Sequence, residues 1–160
     1  MTNSPTIRLR KVKDSDLENF FDHQQDPTAQ KMAAFVHKDP TDRNAFDAHW
    51  IKIRSNQETI IKTILYDDQL VGHIAKFVMF EKPELTYWID KLFWGKGIAT
   101  QALLLFLDEL NLRPIYGVAA KDNLRSIRVL EKCGFAIIKE RKSFANARGE
   151  DIDEVVMELT

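Results

Sequence analysis

The spacing of hydrophobic and polar positions changes along the chain, and each change marks an element. From Thr6 to Val12 the positions alternate as in a strand, with Ile7, Leu9 and Lys11 on one side and Arg8, Arg10 and Val12 on the other. Asp14-Ser15 starts a helix whose apolar stripe is Leu17, Phe20 and Phe21. Pro27 interrupts that region, and Thr28 to Phe35 reads as a short second helix or a loop. Asp39-Pro40-Thr41 breaks the chain again. Thr41 or Asp42 caps a helix predicted to run through Arg54, with Phe46, Trp50, Ile51 and Ile53 as its apolar residues.

Strand character follows. Thr59–Tyr66, Leu70–Phe80 and Glu84–Phe93 are predicted strands, separated by Asp67-Asp68 and Glu81-Lys82-Pro83. Turns this short force antiparallel pairing, so the centre is a three-stranded meander. The period then lengthens. Ala99, Ala102, Leu103, Phe106, Leu107 and Leu110 fall on one face of a helix predicted over Ile98–Leu110. Ile115–Ala120 is a short apolar strand, and strand-helix-strand of this length implies a right-handed crossover to a parallel neighbour. Asp122 or Asn123 caps a further helix through Lys132, with Ile127, Val129 and Leu130 inward and Gly134 just past its end. Phe135–Ser143 and Ile152–Leu159 form a last antiparallel pair around the polar tip Asn146–Glu150. The expected architecture is a single α/β (α+β) domain: a mixed, mostly antiparallel sheet with one parallel pair and helices on both faces.

Composition narrows the function. The 160 residues suffice for one domain with a full core, and 44% hydrophobic with 29% charged content is ordinary for a soluble globular protein. A net charge of -1 gives no reason to expect a nucleic acid or an anionic membrane as partner. No apolar run approaches the ~18 residues needed to span a bilayer. Met1–Pro5 lacks the charged and apolar character of a signal segment. Cys133 is the single cysteine, and His23, His37, His49 and His73 show no metal-ligand spacing, so neither a disulfide nor a metal site is expected. A cytoplasmic protein is the default.

The chemistry concentrates in Trp94-Gly95-Lys96-Gly97-Ile98-Ala99-Thr100-Gln101, between strand and helix. Gly95 and Gly97 permit positive φ and a close ligand. The first N–H groups of a helix lack intrahelical acceptors, and with the macrodipole they form an anion site. Lys96 adds a positive charge, so a diphosphate is the natural guest. A tight turn that binds nothing is the alternative. Of the diphosphate classes, the P-loop pattern is absent. A dinucleotide fingerprint is half present, with Asp122 as its acidic residue, but Thr100 holds the third glycine position and three antiparallel strands precede the turn. Coenzyme A is the third class.

Trp94–Ala99 resembles the acyl-CoA pyrophosphate loop of the GNAT superfamily of N-acyltransferases. Asn123-Leu124-Arg125-Ser126-Ile127-Arg128-Val129-Leu130-Glu131-Lys132-Cys133-Gly134-Phe135 resembles that family's second cofactor motif, at the right separation. The element order agrees over nearly the whole chain. Tyr87-Trp88-Ile89 and Ser126 resemble the branch containing the ribosomal-protein N-terminal acetyltransferases. The resemblance implies acetyl-CoA as cosubstrate, no metal, and direct attack of an amine on the thioester. The acceptor is a protein N-terminus or a small amine, and a homodimer is admitted. Cofactor contacts fall on Leu92, Phe93, Trp94, Gly95, Lys96, Gly97, Ile98, Ala99, Thr100 and Asn123, with a backbone N–H at Leu92 or Phe93 facing the oxyanion. Two positions depart from the wider pattern. Trp94 replaces the usual Gln or Arg, which leaves the phosphates to backbone N–H groups. Leu130 replaces a tyrosine that protonates the leaving thiolate in many members, which leaves the general acid open.

Glu84 is the first candidate for general base, directly or through water, and His73 the second. Ser126 is placed near the thiolate; Asn123 holds the pantetheine arm, caps its helix, or does both. Cys133, at a helix C-terminus without a nearby histidine in sequence, is rejected as a nucleophile. The acceptor is expected between residues 14–56 and the tip around Phe144–Glu150, with Phe20, Phe21, Phe35, Phe46 and Trp50 as core or as pocket walls. The alternatives are a non-catalytic acyl-CoA-binding module and a dinucleotide-binding protein.

Overall fold

A computed structural model describes residues 6–160; the signal-segment expectation on Met1–Pro5 falls outside the described residues. Seven strands form one sheet in the order β1-β2-β3-β4-β5-β7-β6. β1 (Ile7–Lys11), β2 (Ile60–Tyr66), β3 (Gln69–Met79) and β4 (Lys82–Ile89) pair antiparallel in succession. Two-residue turns connect the last three strands. Asp67 and Asp68 have φ of 48° and 67°, Phe80 and Glu81 51° and 65°, the doubly positive geometry that matches strand twist. β4 meets β5 (Ile115–Ala120) in parallel, and β7 (Glu150–Leu159) and β6 (Ala136–Ala145) complete the sheet antiparallel.

Helices α4 (Ile98–Leu110) and α5 (Leu124–Lys132) cover one face. Ala102, Leu103, Phe106 and Leu107 of α4 are buried against Ile64, Ile74, Leu85, Ile89 and Ile115, as the apolar spacing predicts; Ala99 and Leu110 of that face are only partly buried, and Ile98, outside it, is buried as well. α1 (Asp16–His23) and α3 (Arg43–Ser55) cover the other face through Phe20, Phe46 and Trp50. The short α2 (Pro27–Ala33) lies by β5. Pro27 opens this helix rather than breaking the chain. Its missing N–H is no loss at the first helical position, and the Asp26 carboxylate caps the turn by accepting the Ala29 N–H at 2.9 Å. The expected sheet, its parallel pair and helices on both faces are all present.

One boundary is corrected. The strand expected to reach Phe93 stops at Ile89. Asp90 turns the chain: its carboxylate accepts the Leu92 N–H at 3.2 Å, and Lys91–Phe93 form a single 3₁₀ turn. Leu92 is 83% exposed, so its apolar character does not mark a strand.

Asp16 ties β1, β2 and α1 together and is only 2% exposed. It accepts two hydrogen bonds from the Arg10 guanidinium (2.7 and 2.9 Å), one from the Lys13 N–H (2.8 Å) and one from the Thr63 hydroxyl (2.7 Å). Burial pushes its carboxyl up, but these partners together outweigh burial and hold it at about 2. A depressed carboxyl stabilises the fold above its unfolded value of 3.8 and loses that contribution as pH falls through it toward about 2. The loss is about 2 kcal/mol. Denaturant unfolding of wild type and Asp16→Asn between pH 7 and pH 2 checks this. The stability gap between the two is expected to narrow over that acid window; a constant gap refutes the linkage.

Candidate functional site

The site is built where β4 and β5 part. The Asp90 N–H donates to the Val71 carbonyl at 2.8 Å, which fixes the hydrogen-bond alternation along β4. Thr86, Trp88 and Asp90 direct their backbone groups at β3, while Leu85, Tyr87 and Ile89 direct theirs at β5. β5 pairs with β4 only at Glu84–Tyr116 and Leu85–Gly117. Beyond Leu85 the Tyr87 and Ile89 backbone groups face a gap. The Ile89 carbonyl there accepts the Trp94 indole N–H at 2.9 Å. The Ile89 N–H and both Tyr87 groups are left to pair with an extended ligand.

The glycines of the loop after β4 take the positive φ expected of them. Gly95 and Gly97 sit at φ of 82° and 74°, and no protein atom lies within 4 Å of where a Cβ would be on either. The Gln101 N–H is the first of α4 to find a backbone acceptor, the Gly97 carbonyl at 3.2 Å. Among the described residues, the six N–H groups from Gly95 to Thr100 make no hydrogen bond. They stand at the positive end of a 13-residue helix.

This loop opens into a cavity of about 750 Å³ whose walls come from β4, the loop, the start of α4, the end of β5, α5 and α2. Phe93, Trp94, Gly95, Gly97, Ile98, Ala99, Thr100, Asn123 and Ser126 all line it. Lys96 and Leu92 do not; both are exposed on its rim. The oxyanion donor expected at Leu92 or Phe93 is corrected. The Leu92 N–H is held by Asp90 Oδ1 and the Phe93 N–H by the Asp90 carbonyl at 2.9 Å, so neither is free.

Asn123 is committed on both sides of its amide. Its Oδ1 accepts the Ser126 N–H at 3.2 Å, capping α5, and its Nδ2 donates to the Met32 carbonyl at 3.1 Å. Trp94, where a polar residue is usual, anchors the loop to Ile89 and carries the Arg125 guanidinium 4.9 Å above its ring. Arg125, Arg128 and Lys132 repeat at helical spacing along α5 and line the cavity, a cationic edge that the motif contained but its apolar pattern did not single out.

Sequence reasoning also missed Tyr87 as a chemical group. It lines the cavity, and its hydroxyl lies 2.8 Å from Ser126 Oγ, joining β4 to α5 across 39 positions. Burial pushes the Tyr87 hydroxyl up, while its bond to Ser126 opposes this.

The other candidates are placed as follows. Glu84 lines neither large cavity. It lies two residues before Thr86, on the same face of β4, roughly 7 Å away by strand rise. Burial pushes its carboxyl up, Arg141 pulls it down and Glu154 pushes it up again. His73 lies on the α1 and α3 face in a separate cavity. Burial holds it down at about 3. Cys133 is buried, its thiol pushed up by desolvation and directed at the Thr100 carbonyl at 3.8 Å. Asp122, the ribose ligand of a dinucleotide reading, is clamped by Arg148 through two hydrogen bonds of 2.7 and 3.0 Å. The tip around Asn146 packs on the end of α2, where Asn146 Nδ2 donates to the Val36 carbonyl and the Ala147 N–H to the Ala34 carbonyl. The described residues contain no cluster of His, Cys, Asp or Glu able to hold a metal, and no helix long and apolar enough to cross a membrane.

A mixed sheet that splays beside a glycine-lined helix start defines an acyl-CoA-dependent acyltransferase. Residues 6–136 match the acetyltransferase (GNAT) domain, and the chain belongs to that family. Two Bacillus subtilis (strain 168) proteins named as N-acetyltransferases are similar to it. YdaF, named for ribosomal N-acetylation, is 31% identical over 140 residues, 81% of this chain and 76% of that protein. YjcK is 40% identical over 77 residues, which span 43% of this chain and 42% of that protein. A spermidine N-acetyltransferase structure from Vibrio cholerae, in complex with CoA and spermine, superposes with a TM-score of 0.79 at 18% identity, covering 96% of this chain and 94% of that one.

Proposed function

We propose that this chain transfers the acetyl group of acetyl-CoA to a primary amine by direct attack. The observation that carries the reading is the run of unbonded N–H groups from Gly95 to Thr100 at the head of the cavity where β4 and β5 part. The diphosphate sits on those N–H groups, with Arg125, Arg128 and Lys132 along its flank. The pantetheine extends along the gap and pairs with Tyr87 and Ile89.

The neutral amine nitrogen attacks the thioester carbon and the carbonyl electrons move to oxygen, where the Tyr87 N–H is the proposed donor, the pantetheine pairing with the Ile89 N–H and the Tyr87 carbonyl. The tetrahedral intermediate collapses, the C–S bond breaks, and the thiolate leaves. Before attack Glu84 takes the ammonium proton through a water molecule across the pleat between Glu84 and Thr86, which frees the lone pair, and the second nitrogen proton leaves along the same water to solvent as the intermediate collapses. The thiolate takes its proton from the Tyr87–Ser126 pair. Tyr87, kept protonated by burial, is the acid, and Ser126 is the relay. Leu130 therefore needs no replacement on its own helix.

Ser126→Ala and Tyr87→Phe are each expected to lower kcat by about tenfold or more with acetyl-CoA affinity unchanged. Because the pair acts as a unit, the double variant is expected to be about as slow as the slower single one. Full additivity of the two losses, by steady-state kinetics, contradicts the relay. The overall reading is tested by thiol release across an amine panel. Release with at least one primary amine supports it; acetyl-CoA binding without release from any amine favours a non-catalytic acyl-CoA module. The proposed compartment is the cytoplasm, in keeping with a single buried and unpaired cysteine.

A further inference from the structure

The second cavity says what kind of amine enters, given the acetyltransferase reading above. It encloses about 430 Å³ on the α1 and α3 face of the sheet, and Thr86 and Trp88 line both it and the cofactor cavity. Its inner wall is aromatic. The Phe20 and Trp50 rings stack at 5.1 Å, and His73 packs against them at 4.7 and 5.2 Å. Phe46 closes the cluster, and Phe20, Phe46 and Trp50 are all buried. His73 is held neutral among these rings, with a carboxyl nowhere on the inner wall to charge it.

Two carboxylates line the cavity, both from the chain leading into α3, and both are engaged locally. Asp39 Oδ1 accepts the Thr41 hydroxyl and N–H at 2.6 and 3.0 Å, and Asp42 Oδ1 caps α3 by accepting the Ala45 N–H at 3.0 Å. Both carboxylates keep their charge, but they are exposed to water on the chain leading into α3; a second or third ammonium of a polyamine, carried past them onto the aromatic inner wall, would lose its water without a counter-charge there. A ring or branched apolar group loses nothing there and gains burial against rigid aromatic faces.

We propose that this cavity seats the body of the acceptor, and that the substrate class is a primary monoamine on an aromatic or bulky apolar group rather than a polyamine. The amine nitrogen lies at Thr86, on the wall shared with the cofactor cavity. The apolar body lies against Trp88, His73, Phe20 and Trp50. A small aromatic amine and the first residue of a peptide with a bulky apolar side chain share this chemistry.

Calorimetry on the CoA-loaded protein at physiological ionic strength tests the proposal without depending on turnover. 2-Phenylethylamine is expected to bind at least about tenfold more tightly than spermidine, a discrimination that an apolar pocket readily supplies. Ala75 lines the cavity on β3, two residues from His73. Ala75→Leu fills the cavity, and is expected to weaken 2-phenylethylamine by about tenfold with CoA affinity unchanged. Spermidine binding as tightly as 2-phenylethylamine, or no binding of the aromatic amine, overturns the proposal whether or not the variant folds. Thiol release separates the two levels. If 2-phenylethylamine binds preferentially but no amine releases thiol, the cavity assignment stands and the transferase reading falls. If spermidine alone releases thiol, the transferase reading stands and the monoamine class falls. Phenylalaninamide and a peptide beginning with phenylalanine, run side by side, distinguish a small-molecule source from a protein one.

Discussion

Glu84→Gln is expected to lower turnover by about 10²- to 10⁴-fold, the usual contribution of a positioned base. Acetyl-CoA affinity should stay unchanged, because Glu84 is outside the cofactor cavity. The amide keeps the shape and removes the proton acceptor. Burial pushes the Glu84 carboxyl up, against Arg141 and with Glu154, and a carboxylate raised toward neutrality is a better base than a solvated one. The sign of the pH dependence follows. The active form is the deprotonated one, so kcat/KM should fall as pH drops through the raised value, and this acid limb should vanish in the variant. Unchanged turnover would remove Glu84 from the mechanism. His73 would be a weak substitute, since a group held at about 3 has little affinity for the ammonium proton.

Gly97→Val should have the next largest effect, on binding rather than on chemistry. Gly97 is the N-cap of α4 at φ 74°. A β-branched residue there costs roughly 1–2 kcal/mol in backbone conformation. A Cβ at Gly97 meets no protein atom within 4 Å beyond its chain neighbours, so the cost to the fold is mainly the backbone strain. In a chain of this size that cost lowers Tm by about 3–8 °C. To relieve the strain the loop must leave positive φ, and the N–H groups then cease to converge. CoA affinity is expected to fall by at least about a hundredfold, near 2.7 kcal/mol, which exceeds the loss in fold stability. Calorimetry and thermal unfolding on the same preparation compare the two losses; an unchanged Kd would mean that the loop does not hold the cofactor.

The legibility of this chain varied with the range of the interaction. Ile98–Leu110, Leu124–Lys132 and the Asp67-Asp68 turn were readable because local spacing and turn chemistry set them, and the structure has them where the pattern puts them. The end of β4 was misread because Leu92-Phe93 resumes the apolar character of Tyr87-Trp88-Ile89 after only Asp90-Lys91. What stops the strand is one carboxylate of Asp90 bonding two residues ahead, and hydrophobicity carries no trace of that. That error put the expected oxyanion donor at Leu92 or Phe93, whose N–H groups are engaged by Asp90, and the donor proposed above lies further back on β4 at Tyr87. Pro27 was read as a break because its missing N–H is harmful inside a helix and harmless at its first position.

The site itself was half legible. The Gly95–Gly97 loop and Asn123-x-x-Ser126 are contiguous patterns, but Tyr87 meets Ser126 only because β4 and α5 face each other across the splayed sheet. His73 gave a similar lesson. In sequence it is a lone strand histidine; in the fold it is one plate of an aromatic wall made by Phe20 and Trp50 from two other helices.

The central claim is that the free N–H groups from Gly95 to Thr100 hold the diphosphate of CoA. A crystal structure of the acetyl-CoA complex tests it most directly. The predicted result has diphosphate oxygens within hydrogen-bond distance of those N–H groups and the pantetheine paired with Tyr87 and Ile89. A diphosphate bound anywhere else, with the loop empty, would contradict it.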